Sequence, residues 1–208
     1  MSFTTGAYFK NEIAIPNITN DGGSTYDAAI TAAIDKYESE IRIDLLGYEL
    51  NKLLEADLDG GIPQTERFIN LVNGAEFTHP DTGQLLKWIG FVNTQKESMI
   101  AYYVYYNYVY YNNIHLSGVG SVDVQAENAK RISPFDKLEP AWKKFQRLYA
   151  GFDFDINECY FSENGILVDD LNGTFNTLPS AYNFLYANKD DYPEWVFKVK
   201  YDKDIFFL

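Results

Sequence analysis

Cysteine occurs once in this chain, at Cys159, and histidine twice, at His79 and His115. One thiol cannot form an internal disulfide framework. His-x3-His, HExxH and paired Cys/His spacings are absent, so a transition-metal centre has no ligand set. Cys159 lies between Glu158 and Tyr160, where negative charge disfavours the thiolate that a nucleophile needs. It reads as a small hydrophobe in a strand. Basic residues are scarce: 17 Lys and Arg against 30 Asp and Glu give a net charge of −13. That balance lacks the cationic footprint of a protein that wraps nucleic acid, although an acidic wall would let a duplex slide past. Nowhere do roughly eighteen uncharged apolar residues follow one another, the length a membrane helix requires. The opening MSFTTGAYFKNEIAIPN shows no basic segment before an apolar run, so the expectation is a chain kept in a reducing intracellular compartment.

Phosphate and calcium loops also fail on inspection. NDGGS, DLDGG and SGVGS lack the GKS or GxGxxG setting that opens a phosphate-binding helix. Asp57-x-Asp59 and Asp153-x-Asp155-x-Asn157 begin like calcium loops. Gly61 and Glu158 then stand where a ligand and the loop glycine belong, and Asn164 replaces the closing glutamate. No catalytic, cofactor-binding or metal-ligating residue is assigned, and carboxylates this abundant identify no particular acid pair.

What the chain has instead is tyrosine. SMIAYYVYYNYVYYNN, from Ser98 to Asn113, carries it at 102, 103, 105, 106, 108, 110 and 111 with no charge between. Thr94 followed by Glu97 has the pattern of a capping box and favours a helix for this run. Ile100, Tyr103, Val104, Asn107 and Tyr111 share one side, while Tyr102, Tyr105, Tyr106, Val109 and Tyr110 cover much of the rest. A helix apolar all round is buried by neighbours, whether of its own chain or of other subunits.

Around it the periodicity predicts a helix from about Thr25 to Arg42, with Ser24 and Asp27 at its start. A second runs from about Asp44 to Gly60-Gly61, and a third covers Thr65 to Val72. Glu76–Thr78 and Leu85–Ile89 flank the turn HPDTGQ as a small hairpin carrying Trp88. Lys137 to Ala150 reads as another amphipathic helix, and SAYNFLYAN as a short one. The predicted fold is mainly α: a helical bundle with a small hairpin and extended, strand-containing N- and C-terminal arms. Residues 1–23 form the N-terminal arm, 24–151 the helical domain and 152–208 an aromatic-rich strand or arm region.

The segments LLGYELNKLL, LLKWIGF, AYYVYYNYVYYN followed by GVG, and SAYNFLYANKDDYPEWVFK occur in this order. Together they resemble the head-tail connector, or adaptor, proteins of tailed bacteriophages and prophages of Bacteroidetes-type hosts. The resemblance spans Thr25 to Phe197. It implies a structural virion protein without enzymatic activity, forming a homo-oligomeric, commonly dodecameric, ring that docks on the portal. Such a ring sits in the virion neck, assembles in the host bacterial cytoplasm, meets the tail or a second neck protein, and lets DNA pass without specific binding. It has no membrane partner and no cofactor. On this reading Tyr102, Tyr105, Tyr106 and Tyr110 are candidate interface residues. Trp195, Phe197, Phe206 and Phe207 join them as anchors on a mobile end whose removal spares the helices. Two other classes remain open from sequence: a carbohydrate-binding module using exposed aromatic platforms, and a small hydrolase with a carboxylate pair.

Overall fold

The computed structural model describes residues 2–15, 25–112, 115–117, 120–122, 135–151, 159–161, 167–169, 174–175 and 178–198. The fold is mainly α, with six helices among the described residues. Helix α1, Thr25–Leu46, buries Ile30, Ile34, Tyr37, Ile41 and Leu45, the face its spacing predicts. It continues past Arg42 and stops only at Gly47, whose φ of 78° an L side chain rarely adopts. Helix α2, Tyr48–Asp57, starts at once and turns Leu50 and Leu54 inward.

Asp57 then closes a small knot. Strand β1 (Leu58–Asp59) pairs with β2 (Ile62–Pro63) across Gly60-Gly61. The Asp57 carboxylate accepts from Gln64 N at 2.8 Å and Thr65 N at 3.0 Å, leading into α3, Glu66–Asn73. The predicted hairpin is present as β3 (Glu76–Thr78) and β4 (Leu85–Lys87), in antiparallel register with Phe77 opposite Leu86. Both face inward, and Trp88 follows them into the core, its indole N–H donating to Leu71 O at 2.8 Å.

The tyrosine run is α4, Met99–Asn112, and it packs between α1 and α5, Phe135–Tyr149. Its start differs from the expected capping box. Lys96 takes a φ of 55°, turning the chain between Thr94 and the helix. Asn93 ties that loop by accepting from Glu97 N at 3.1 Å, and Ser98 Oγ accepts from Ile100 N at 3.3 Å as the local cap. Helix α6, Ala181–Ala187, is capped by Ser180, whose hydroxyl accepts from Asn183 N at 3.1 Å. Short antiparallel strands complete the elements: β5 (His115–Ser117) with β6 (Gly120–Val122), and β7 (Cys159–Phe161), β8 (Leu167–Asp169) and β9 (Thr174–Phe175) in order.

The N-terminal segment corrects the expectation of an extended arm. Residues 2–15 contain two 3-10 turns, Gly6–Tyr8 and Asn11–Ile13, and no strand. Phe3, Tyr8, Phe9 and Ile13 are buried against the bundle, because four large apolar side chains this close together gain far more from the core than from water. Among the described residues, no helix is long and apolar enough to cross a membrane. The predicted helix start at Ser24 and the acidic loop at Asp153 to Asn157 lie outside the described residues.

Candidate functional site

Helix α4 places most of its rings inside the chain itself. Tyr102, Tyr105 and Tyr106 are 4%, 3% and 2% exposed, whereas Tyr110 is half-buried and Tyr111 exposed. The interface assignment is therefore corrected for the first three, whose surface the chain's own elements already cover. Tyr106 packs on Trp142 of α5 with centroids 4.6 Å apart, and Tyr103 on Phe145 at 5.1 Å. Tyr37 of α1 meets Tyr103 edge-on at 6.3 Å and stacks with Tyr111 at 6.4 Å. Each hydroxyl needs a partner as its ring is buried. Tyr102 donates to Glu12 of the N-terminal segment, and Tyr103 to Glu40 at 2.5 Å. Burial first, then the hydrogen bond to Glu12 and that carboxylate's charge, pushes the Tyr102 hydroxyl well above the ordinary tyrosine range, so it stays a donor. The same bond holds the Glu12 carboxyl below its usual value.

A second arrangement forms where α1 meets α2. A helix ends with carbonyls that have no partner of their own. Here Gly47 N serves Ile43 O at 2.9 Å, and residues from the far end of the chain serve the next three. Lys198 N donates to Asp44 O at 2.8 Å, Trp195 Nε1 to Leu45 O at 2.8 Å, and Val196 N to Leu46 O at 3.2 Å. Lys198 Nζ adds an ion pair to Asp44 at 3.1 Å. Residues 195–198 thus form a strap over the end of α1, and its other side is held by α5, whose Tyr149 hydroxyl donates to Lys198 O at 2.5 Å. Upstream, Tyr192 donates to Arg67 O at 2.5 Å, while Arg67 reaches Asp191 O at 3.0 Å and Glu194 at 3.3 Å.

Trp195 and Phe197, expected at a partner interface, pack here on their own chain. Both are half-buried: Phe197 packs on Tyr182 at 4.8 Å and on Tyr149 at 5.1 Å, and Trp195 on Tyr182 at 5.4 Å. Burial pushes the Tyr182 hydroxyl up to about 12. Phe206 and Phe207 lie outside the described residues. Sequence reasoning missed Asp44, Gly47, Arg67, Tyr149 and Tyr192 as parts of this site. Backbone carbonyls carry no motif, and the one signal was a glycine interrupting a helical pattern in LLGYEL.

Neither arrangement collects chemistry. Asp57, first of the calcium-like cluster, spends its carboxylate on backbone N–H groups, and His79 is buried with Nδ1 accepting from Asp81 N at 3.3 Å. Among the described residues no three His, Cys, Asp or Glu side chains gather to hold a metal ion.

A family model spans residues 44–140 and 177–205, more than half of the chain. The chain belongs to DUF6712, a family of unknown function. No curated protein and no solved structure matches it. The DUF6712 match begins at Asp44, in the last turn of α1, and its second block contains α6 and the strap. The two blocks are thus joined directly by the bonds from Trp195, Val196 and Lys198 to the end of α1.

Proposed function

We propose that this DUF6712 chain is a structural subunit of a phage or prophage neck, a head-tail adaptor that forms a ring on the portal and performs no catalysis. The observation that carries the reading is where the aromatic residues and their hydroxyls are spent. Tyr102, Tyr103, Tyr149 and Tyr192 all use their oxygens to fasten one element to another. A chain that commits its polar groups to holding a bundle rigid suits a part that bears load between larger bodies. The net charge of −13 suits a conduit through which a polyanion passes unbound. The segments that carry the adaptor resemblance from LLGYELNKLL onward fall largely inside the matched family blocks, and the bundle is of the mainly α kind that resemblance implies.

The sugar-platform reading needs coplanar rings open to solvent. Among the described residues the exposed tyrosines are Tyr48 and Tyr111, on different helices. The adaptor reading is tested by mixing the purified chain with the portal protein encoded in the same genome and measuring particle mass. The expected product is a cosedimenting complex holding many copies of the chain. Persistent monomer at micromolar concentration with portal in excess would remove this reading.

A further inference from the structure

The carbonyl end of α1 is a docking surface whose occupant is visible. It offers three backbone acceptors, Asp44 O, Leu45 O and Leu46 O, beside the Asp44 carboxylate. Gly47 makes the close approach possible: a Cβ there would come within 3.0 Å of Val196 Cβ and 3.2 Å of its N. The occupant is Trp195-Val196-Phe197-Lys198, which supplies an indole N–H, two backbone N–H groups and an ammonium in the matching places.

These contacts join segments far apart in sequence, and none requires that both belong to one molecule. The strap is also held at the surface. Trp195 and Phe197 are half-buried, Val196 is 66% exposed and the Lys198 side chain 70%. A closed ring needs a head-to-tail interface, in which each subunit presents two unlike patches that fit each other. The junction and the strap already are two such patches.

Resting on the ring reading above, we propose that in the assembled oligomer residues 191–198 of each subunit seat on the α1–α2 junction of the next copy. There they take the place they hold on their own chain in the monomer. The exchange remakes between copies the bonds of Trp195, Val196 and Lys198 to the junction and gives up the turn bonds from Asp191 N to Asn188 O and from Tyr192 N to Lys189 O, so its equilibrium is set by subunit concentration and by whatever further surface the neighbours share. Residues 141–176, which include most of α5 and run on towards α6, fall outside both family blocks, while junction and strap fall within them. Both halves of the junction–strap fit thus lie in the matched part of the chain.

The ion pair of Lys198 with Asp44 gives a direct test on the unmodified protein, since a carbodiimide joins such a pair without a spacer. Nitrogen-15-labelled and unlabelled chains are mixed as monomers, assembled on the portal, cross-linked and digested. Mass spectrometry then reads the peptide containing Asp44 joined to the one containing Lys198. Exchange predicts that mixed heavy–light pairs are as frequent as unmixed pairs in the ring and absent from dilute monomer. A ring containing only unmixed pairs overturns the exchange and leaves the adaptor reading intact. A ring with no such cross-link overturns it as well. Failure to assemble under any condition removes both.

Discussion

Glu38 shows how much a single side chain can reveal about this fold. It is 1% exposed and accepts from Phe3 N at 2.6 Å and Thr4 N at 3.0 Å, pinning the N-terminal segment to α1. Arg42, one turn later, is drawn partly away: it pairs with Glu55 of α2 at 2.8 Å and lies over the Phe3 ring. Burial pushes the Glu38 carboxyl above its ordinary 4.5, outweighing the two backbone N–H groups and Arg42. Burial raises the hydroxyl of Tyr8 in the N-terminal segment, against a backbone hydrogen bond at Asn93, and the Glu38 charge adds to the rise. With the folded value raised, the native state holds more protons than the unfolded one between 4.5 and that value. Stability contributed by this group is therefore present at acid pH and declines as pH rises through that window. Glu38→Gln removes the titration. Urea unfolding at a series of pH values should show wild type losing stability relative to the variant as pH rises, at up to about 1.4 kcal/mol per pH unit. The opposite slope would mean that the N–H groups and Arg42 dominate.

At the scale of elements, the turn from α3 into the hairpin rests on two glycines set back to back. Gly74 has a φ of 86° and a Cβ added to it would lie 2.3 Å from Trp88 O; one added to Gly90, with a φ of 79°, would lie 2.5 Å from Gly74 N. The close approach lets Trp88 N bond to Ala75 O at 2.9 Å and Val92 N to Val72 O at 2.8 Å. Gly74→Ala should cost about 3 kcal/mol or more, combining the backbone strain with a clash against backbone that cannot swing aside. Gly83→Ala, in the open hairpin turn with a φ of 68° and no neighbour within 4 Å, should cost about 1 kcal/mol. Thermal unfolding of the two variants checks the contrast, and equal losses would refute the packing explanation. Sequence made α1, α2, α3, the hairpin and α4 legible because each carries its own periodicity or turn chemistry. It misplaced the end of α1, since Arg42 looks like a boundary only until Leu45 and Leu46 are seen filling the core. It also took Thr94 for the cap of α4, because a local pattern cannot show the reversal at Lys96. The strap's partners lie at the other end of the chain, so no local rule pointed to them.

Taken as a whole, the described residues are closed by two segments far apart in sequence, 2–4 and 195–198, both of which fasten to α1. Ser2 and the backbone of Phe3 and Thr4 hold Asp35 and Glu38 in the middle of the helix, while Trp195, Val196 and Lys198 cap its last carbonyls. This revises the reading of the C-terminal region as an appendage whose loss spares the helices. Deleting residues 192–208 removes the buried Tyr192, the indole and phenyl rings packed on Tyr182 and Tyr149, and donors for three carbonyls. Truncating one large buried aromatic typically costs about 3–5 kcal/mol, so losing this group reaches about 5 kcal/mol even with half-buried rings discounted. That is a large share of the whole margin of a folded domain, about 5–15 kcal/mol. The truncated chain should therefore lose helical circular dichroism and unfold near room temperature. The full chain with only Trp195→Phe should stay folded, with a melting temperature lowered by several degrees for the lost bond to Leu45 O. A truncated chain with the full helical signal and an unshifted urea midpoint would show that the strap merely rests on the bundle, leaving α1 capped by water.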